Sequence, residues 1–195
     1  DHGDLKILGD SNPHYFYGID LTANYKGFDF RCFLQGVLKH DFWPGGSSYF
    51  WGVRGGYSKW YTIGLEQHNN YFRDQPIGLA GYELPVNLDS YYPRPITSPD
   101  SGGSSFGAKN QQTQSRYMQN AGYMRLKNLQ LGYSLPKSVV EKVGISNCRV
   151  FVSGENLLTF TSLSSIFDPE TCVGGWGGNA YPLSSTWSFG LSVTF

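Results

Sequence analysis

Three cysteines (Cys32, Cys148, Cys172) and four histidines (His2, His14, His40, His68) are the side chains best suited to hold a metal or act as nucleophile and base. Their spacing points to neither role. No Cys-x-x-Cys pair, no Cys/His ligand spacing and no His-Glu-x-x-His run occurs. The one Gly-x-Ser-x-Gly string, Gly103 to Gly107, lies in a Ser/Gly/Gln-rich loop stretch without the strand-to-helix context of a nucleophile elbow, and no two carboxylates have a persuasive spacing for glycoside hydrolysis. The run GGWGG around Trp176 lacks the lysine of a phosphate loop and reads as a loop tip. Asp168 and Glu170, in Phe-Asp-Pro-Glu, could bind a cation, but an Asp-Pro turn is the simpler account. The expectation is a chain with no catalytic residue, no metal and no cofactor.

Binding is the chemistry that remains. Trp43, Tyr49, Trp51 and Trp60 fall close together in HDFWPGGSSYFWG and YSKWY. Flat rings with a polar edge suit contact with a carbohydrate or a partner. The preferred alternative is an aromatic girdle at a membrane interface together with packing inside a large loop, because the cluster directly follows a strand. Tyr91, Tyr92 and Arg94 lie in YYPRP, where two prolines stiffen the backbone and lower the cost of ordering a contact surface. With Trp176 these residues form the candidate contact set for substrate or partner.

The elements that would position them are strands. Only 15% of residues are charged, against about 25% in ordinary soluble domains, while aromatics reach 16% and glycine is abundant. Acidic and basic residues balance, so net charge points to no nucleic acid. No apolar run reaches the roughly 20 residues of a membrane helix. Apolar residues alternate instead, most cleanly at the end of the chain: Trp187, Phe189, Leu191, Val193 and Phe195 oppose Ser188, Gly190 and Ser192. Similar alternation predicts strands over about 15–25, 28–38, 121–134 and 147–160, besides 185–195. Lys26-Gly27 joins the first two as a hairpin. The phase slip between Met124/Leu126 and Leu129/Leu131 calls for a bulge near Lys127-Asn128.

Connections between these strands alternate short and long. Lys26-Gly27 is followed by about eighty residues (39–120), then by PKSVVEKVGIS, then by the stretch 161–184. Outer-membrane barrels alternate short periplasmic turns with long extracellular loops. The alternative, a soluble or surface β-sandwich such as an adhesin domain, fits any one strand equally well but accounts for this order and the low charge less well.

The stretch GYMRLKNLQLGYSLPKSVVEKVGISNCRVFVSGENLLTF resembles the C-terminal region of the SusC/RagA family, TonB-dependent outer-membrane transporters of Bacteroidetes. The shared features are Tyr123–Asn128, Leu131–Pro136 and Gly154–Leu157, together with FDPE (Phe167–Glu170), Tyr17–Leu21, Tyr25–Asp29 and YPRP (Tyr92–Pro95). The resemblance implies an all-β fold: about five C-terminal strands of a large antiparallel transmembrane β-barrel of about 22 strands, with long extracellular loops. It implies a plug and a TonB-contacting segment outside this sequence, membrane lipid around the strands and a SusD-like surface lipoprotein as lid. An oligosaccharide or peptide would be the cargo. It further implies that Phe195 is a true C-terminus and that Trp187, Phe189, Leu191, Val193 and Phe195 form the signal read by the barrel-assembly machinery.

Overall fold

The computed structural model describes residues 5–45, 47–52, 64–79, 81–95, 112–173 and 180–195. Its strands, in chain order, are β1 (His14–Tyr25), β2 (Phe28–Lys39), β3 (Asp41–Phe42), β4 (Ile77–Leu79), β5 (Tyr82–Leu84), β6 (Gln119–Asn120), β7 (Tyr123–Ser134), β8 (Asn147–Thr161) and β9 (Thr186–Thr194). The five long ones form a single antiparallel sheet in the order β1-β2-β7-β8-β9. They run from 9 to 15 residues, and a tilted strand needs about 9–11 to cross a bilayer. No helix among the described residues is long and apolar enough to cross a membrane, which leaves crossing by strands untouched.

The connections at one end are tight. Lys26 and Gly27 both take positive φ, 45° and 88°, the left-handed pair that matches the twist of a two-residue hairpin. PKSVVEKVGIS folds into a four-residue helix (Lys137–Val140) and a 3₁₀ turn that stops at Gly144, burying Val140 beneath it.

Register sorts the side chains into two faces. One row reads Ala23, Phe30, Leu131, Val152, Phe189 across all five strands, and the next reads Tyr25, Phe28, Tyr133, Val150, Leu191. Large apolar groups on this face are exposed, Phe189 at 83% and Leu191 at 64%. The opposite face reads Thr22, Arg31, Gln130, Ser153, Ser188. It carries Asp20–Arg31 (2.7 Å) and Asp29–Arg149 (2.5 Å) ion pairs. Asp29 and Arg149 sit on β2 and β8, so their pair spans β7. It passes over Gly132, where a Cβ would collide with both partners.

The alternation slips at one height on two strands. β7 has an extra residue, Lys127, between the pairs Phe33–Asn128 and Leu34–Leu126. β8 answers with Asn156 and Leu157 opposite Lys127, Asn156 lying at φ 51°. The bulge keeps Leu126 and Leu129 on the apolar face although their numbers differ by an odd count.

At the far end β2 and β7 continue past the sheet. Ala121 N donates to His40 O at 2.7 Å, and β3 pairs with β6. The long connection between them contains the β4–β5 hairpin and two isolated bridges, Tyr71–Tyr92 and Arg73–Asn87. Its interior is a core of Phe42, Phe50, Trp51, Tyr92, Tyr117 and Ala121, to which Leu163, Phe167 and Cys172 add from the next connection. The three cysteines are free. Cys32 lies on the apolar face of β2, Cys148 at the start of β8 and Cys172 in this core.

Candidate functional site

Ser47 begins the loop core by accepting Phe50 N on its hydroxyl (3.3 Å), which starts the short helix Ser48–Trp51. Trp51 Nε1 donates to Pro44 O at 3.2 Å, folding the helix back on its own entry. Phe50 is fully buried and meets Trp51, Tyr92 and Tyr117 edge-on at 5.0, 5.5 and 6.3 Å, and stacks on Phe167 at 6.1 Å. Such aromatic pairs contribute about 0.5–1.5 kcal/mol each beyond the area they bury. Burial pushes the hydroxyl pKa of Tyr92 and Tyr117 above its ordinary value, and neighbouring tyrosines add to it. It pushes the Cys172 thiol up to about 11, so this thiol is unreactive at neutral pH.

His68 fastens the helix end. Its Nδ1 accepts Leu65 N at 3.0 Å, which places the proton on Nε2, facing Tyr49 O (2.9 Å) and Phe50 O (3.1 Å). Arg73 is buried, donates to Pro85 O (2.8 Å) and Asn69 O (2.7 Å), and lies 4.5 Å from the Tyr71 ring centroid. A hollow of about 200 Å³ opens beside them, walled by Trp51, His68, Tyr71, Tyr92 and Pro93.

The second connection is seated on the polar face of the sheet by four charges. Arg125, on β7, gives Nε to Thr159 Oγ1 (2.7 Å), Nη1 to Glu170 (2.7 Å) and Nη2 to Asp168 (2.6 Å). Lys127 adds a contact to Glu170 at 3.0 Å. Asp168 also accepts the amides of Glu170 (2.9 Å) and Leu183 (3.2 Å), so one carboxylate gathers both limbs of the connection. Burial pushes its pKa up, but the hydrogen bonds from Arg125 and the two amides outweigh that and hold it below the ordinary carboxylate range. The carboxylates of Asp168 and Glu170 are thus engaged by strand cations and by an Asp-Pro turn.

The candidate contact residues separate by depth. Trp51 and Tyr92 are core members, and Trp43 and Tyr91 pack against that core half-buried. Tyr49 (45%) and Arg94 are exposed, Arg94 paired with Asp74 at 2.5 Å. Trp60 and Trp176 lie outside the described residues. Trp187, Phe189 and Leu191 project from the apolar face of β9 with Val193 in the same row set, and Phe195 is exposed just past the strand. Sequence reasoning missed Arg125 and Lys127. Their signal was present, as two cations at alternate positions of β7, but their partners lie 43 and 45 residues away.

No family model matches the chain. Among curated proteins, TonB-dependent receptor P3 of Formosa agariphila is 30% identical over 203 residues, covering 98% of this chain and 17% of the relative. TonB-dependent receptor P26 of the same organism is 26% identical, covering 98% and 18%. Solved structures of the RagAB peptide importer in its open-open and closed-closed states superpose with TM-scores of 0.63 and 0.60. Their identities are 24% and 21%; each superposition covers 97% of this chain and 18% of the solved one. The five-stranded sheet is therefore a section of a large β-barrel wall, open here because the chain spans about a sixth of the length of the curated relatives it matches. On its sequence relatives the chain is a section of a TonB-dependent receptor, and its fold is similar to that of the corresponding section of the RagAB importer.

Proposed function

We propose that this chain supplies five strands and two extracellular loops of an outer-membrane active transporter. That transporter imports an oligomeric nutrient, glycan or peptide, with energy delivered through TonB to a region outside this sequence. The apolar face of the sheet meets lipid and the charged face meets the lumen. The ends bearing the Lys26-Gly27 hairpin and the 135–146 turn are periplasmic, and the aromatic loop module is extracellular. A SusD-like lipoprotein is the partner expected on that module, and the row from Trp187 to Phe195 is the signal for barrel assembly. The relatives are receptors rather than enzymes.

The observation that carries this reading is the apolar face: five strands present rows of Phe, Leu, Val, Tyr and Trp outward, opposite ion-paired polar groups. A soluble sandwich would need a second large sheet to cover that face, and the other sheets among the described residues have two strands each. The test is expression of the intact receptor with and without TonB. Outer-membrane fractionation with TonB-dependent uptake of labelled oligomers supports the reading; detergent-free solubility of the intact protein overturns it.

A further inference from the structure

Two adjoining hollows, of about 380 and 410 Å³, lie on the loop module and share Phe72 and Arg94 as the ridge between them. Arg94 covers the Phe72 ring, with Cζ 5.7 Å from the centroid, and is neutralised by Asp74. The second hollow has an aliphatic side of Leu88 and Pro93 and is bounded by Arg116. Arg116 is exposed and gives Nε to Tyr91 O (3.2 Å) and Nη2 to Ser90 O. It has no carboxylate partner among the described residues. Two carbonyl contacts fix the plane of this guanidinium without cancelling its charge. At the edge of this open hollow, a cation held over the Tyr117 ring (Cζ 5.9 Å from the centroid) and without a carboxylate partner attracts an anion, and the fork geometry favours a carboxylate.

We propose that this hollow is a subsite for an acidic peptide, with Arg116 receiving a side-chain or terminal carboxylate and Leu88 and Pro93 seating a neighbouring aliphatic side chain. The proposal rests on the import reading and names its cargo class at this site. A peptide fits better than an acidic sugar on the ring geometry. Sugars stack on open ring faces, whereas Tyr92 and Tyr117 are buried in the aromatic core and Phe72 lies under Arg94.

The test uses the intact receptor in detergent without a lid. The probes are a fluorescent decapeptide alternating Glu and Leu, its Gln-for-Glu counterpart and an oligogalacturonate. The acidic peptide is expected to bind best, and Arg116→Gln to weaken it about tenfold or more while leaving the Gln peptide unchanged. Arg116→Lys, which keeps the charge but not the fork, is expected to bind the acidic peptide more weakly than the parent and still in preference to the Gln peptide. Equal binding of acidic and Gln peptides, an unchanged affinity in Arg116→Gln, or preferential binding of the oligogalacturonate overturns the subsite. Charge-dependent binding without TonB-dependent uptake would leave the subsite standing and overturn the import reading instead.

Discussion

The wall of the sheet and the loop module above it obey opposite rules of burial within one chain. In the wall, Phe189 and Leu191 stand exposed while the inward face carries Asp20–Arg31 and Asp29–Arg149. In the module, Phe50 is fully buried, and the exposed positions include Tyr49 and Arg94. The wall has no core of its own: backbone ladders hold it, and its apolar groups wait for lipid. The module is a small water-facing domain with an aromatic interior. Segments only a few residues apart, such as Leu38 and Phe42, are thus matched to different solvents, and the boundary falls where β2 hands over to β3 at His40.

The largest expected effect would strike the module. Phe50→Ala opens a cavity at the centre of the core and is expected to cost about 3–5 kcal/mol of local stability. Hydrogen exchange of the intact receptor should show loss of protection in the module, with β7 and β8 unchanged. Equal loss in the strands would mean that the two regions are one cooperative unit.

A charge placed on the wall sharpens the contrast from the other side. Leu191→Arg, on the apolar face in the row next to the Lys26-Gly27 hairpin, is expected to cost between about 1 kcal/mol, the value near an interface, and the 2–4 kcal/mol of the midplane. Ser192→Arg, one residue along and facing inward, is expected to cost much less. Outer-membrane assembly yield measures both, and equal tolerance would remove the distinction between the faces.

Acid should reach the junction of the two regions. Asp168 has a folded pKa held below its ordinary value of 3.8, so its contribution is complete above that value and is lost as pH falls through the depressed one. Proteolysis of the 162–184 connection by an acid-active protease is expected to accelerate below about pH 4. Asp168→Asn should already be loosened at neutral pH and show a flatter acid response. A response identical in the two proteins would assign the acid effect elsewhere.

The smallest effect belongs to Asp20–Arg31, both partners around half exposed. A double-mutant cycle is expected to give about 0.2–1 kcal/mol. A coupling of several kcal/mol would show that this part of the inward face is drier than its exposure in the isolated sheet suggests.

Much of the wall was legible because strand alternation is local. Trp187, Phe189 and Leu191 declare their face at a spacing of two, and Lys26-Gly27 declares its hairpin. The slip in β7 could be read from Leu126 and Leu129. Its counterpart in β8 could not, since only Asn156 in Gly-Glu-Asn hints at a left-handed residue there. The module was legible as a density of rings but not as a depth: nothing in HDFWPGGSSYFWG separates buried Trp51 from exposed Tyr49. Pairing over long separations was invisible for a simple reason. Asp29 meets Arg149 from 120 residues away, and charge type alone does not choose among partners.

That last contact bears on how the wall is assembled. Asp29 and Arg149 can meet only when β2, β7 and β8 are all in place, because the pair crosses the middle strand over Gly132. A slip of one residue in β8 would turn Arg149 toward the lipid side and leave Asp29 alone above the glycine. The contact therefore acts as a lock on alignment: a misthreaded sheet loses an ion pair and gains a stranded charge together, so both effects favour the native register.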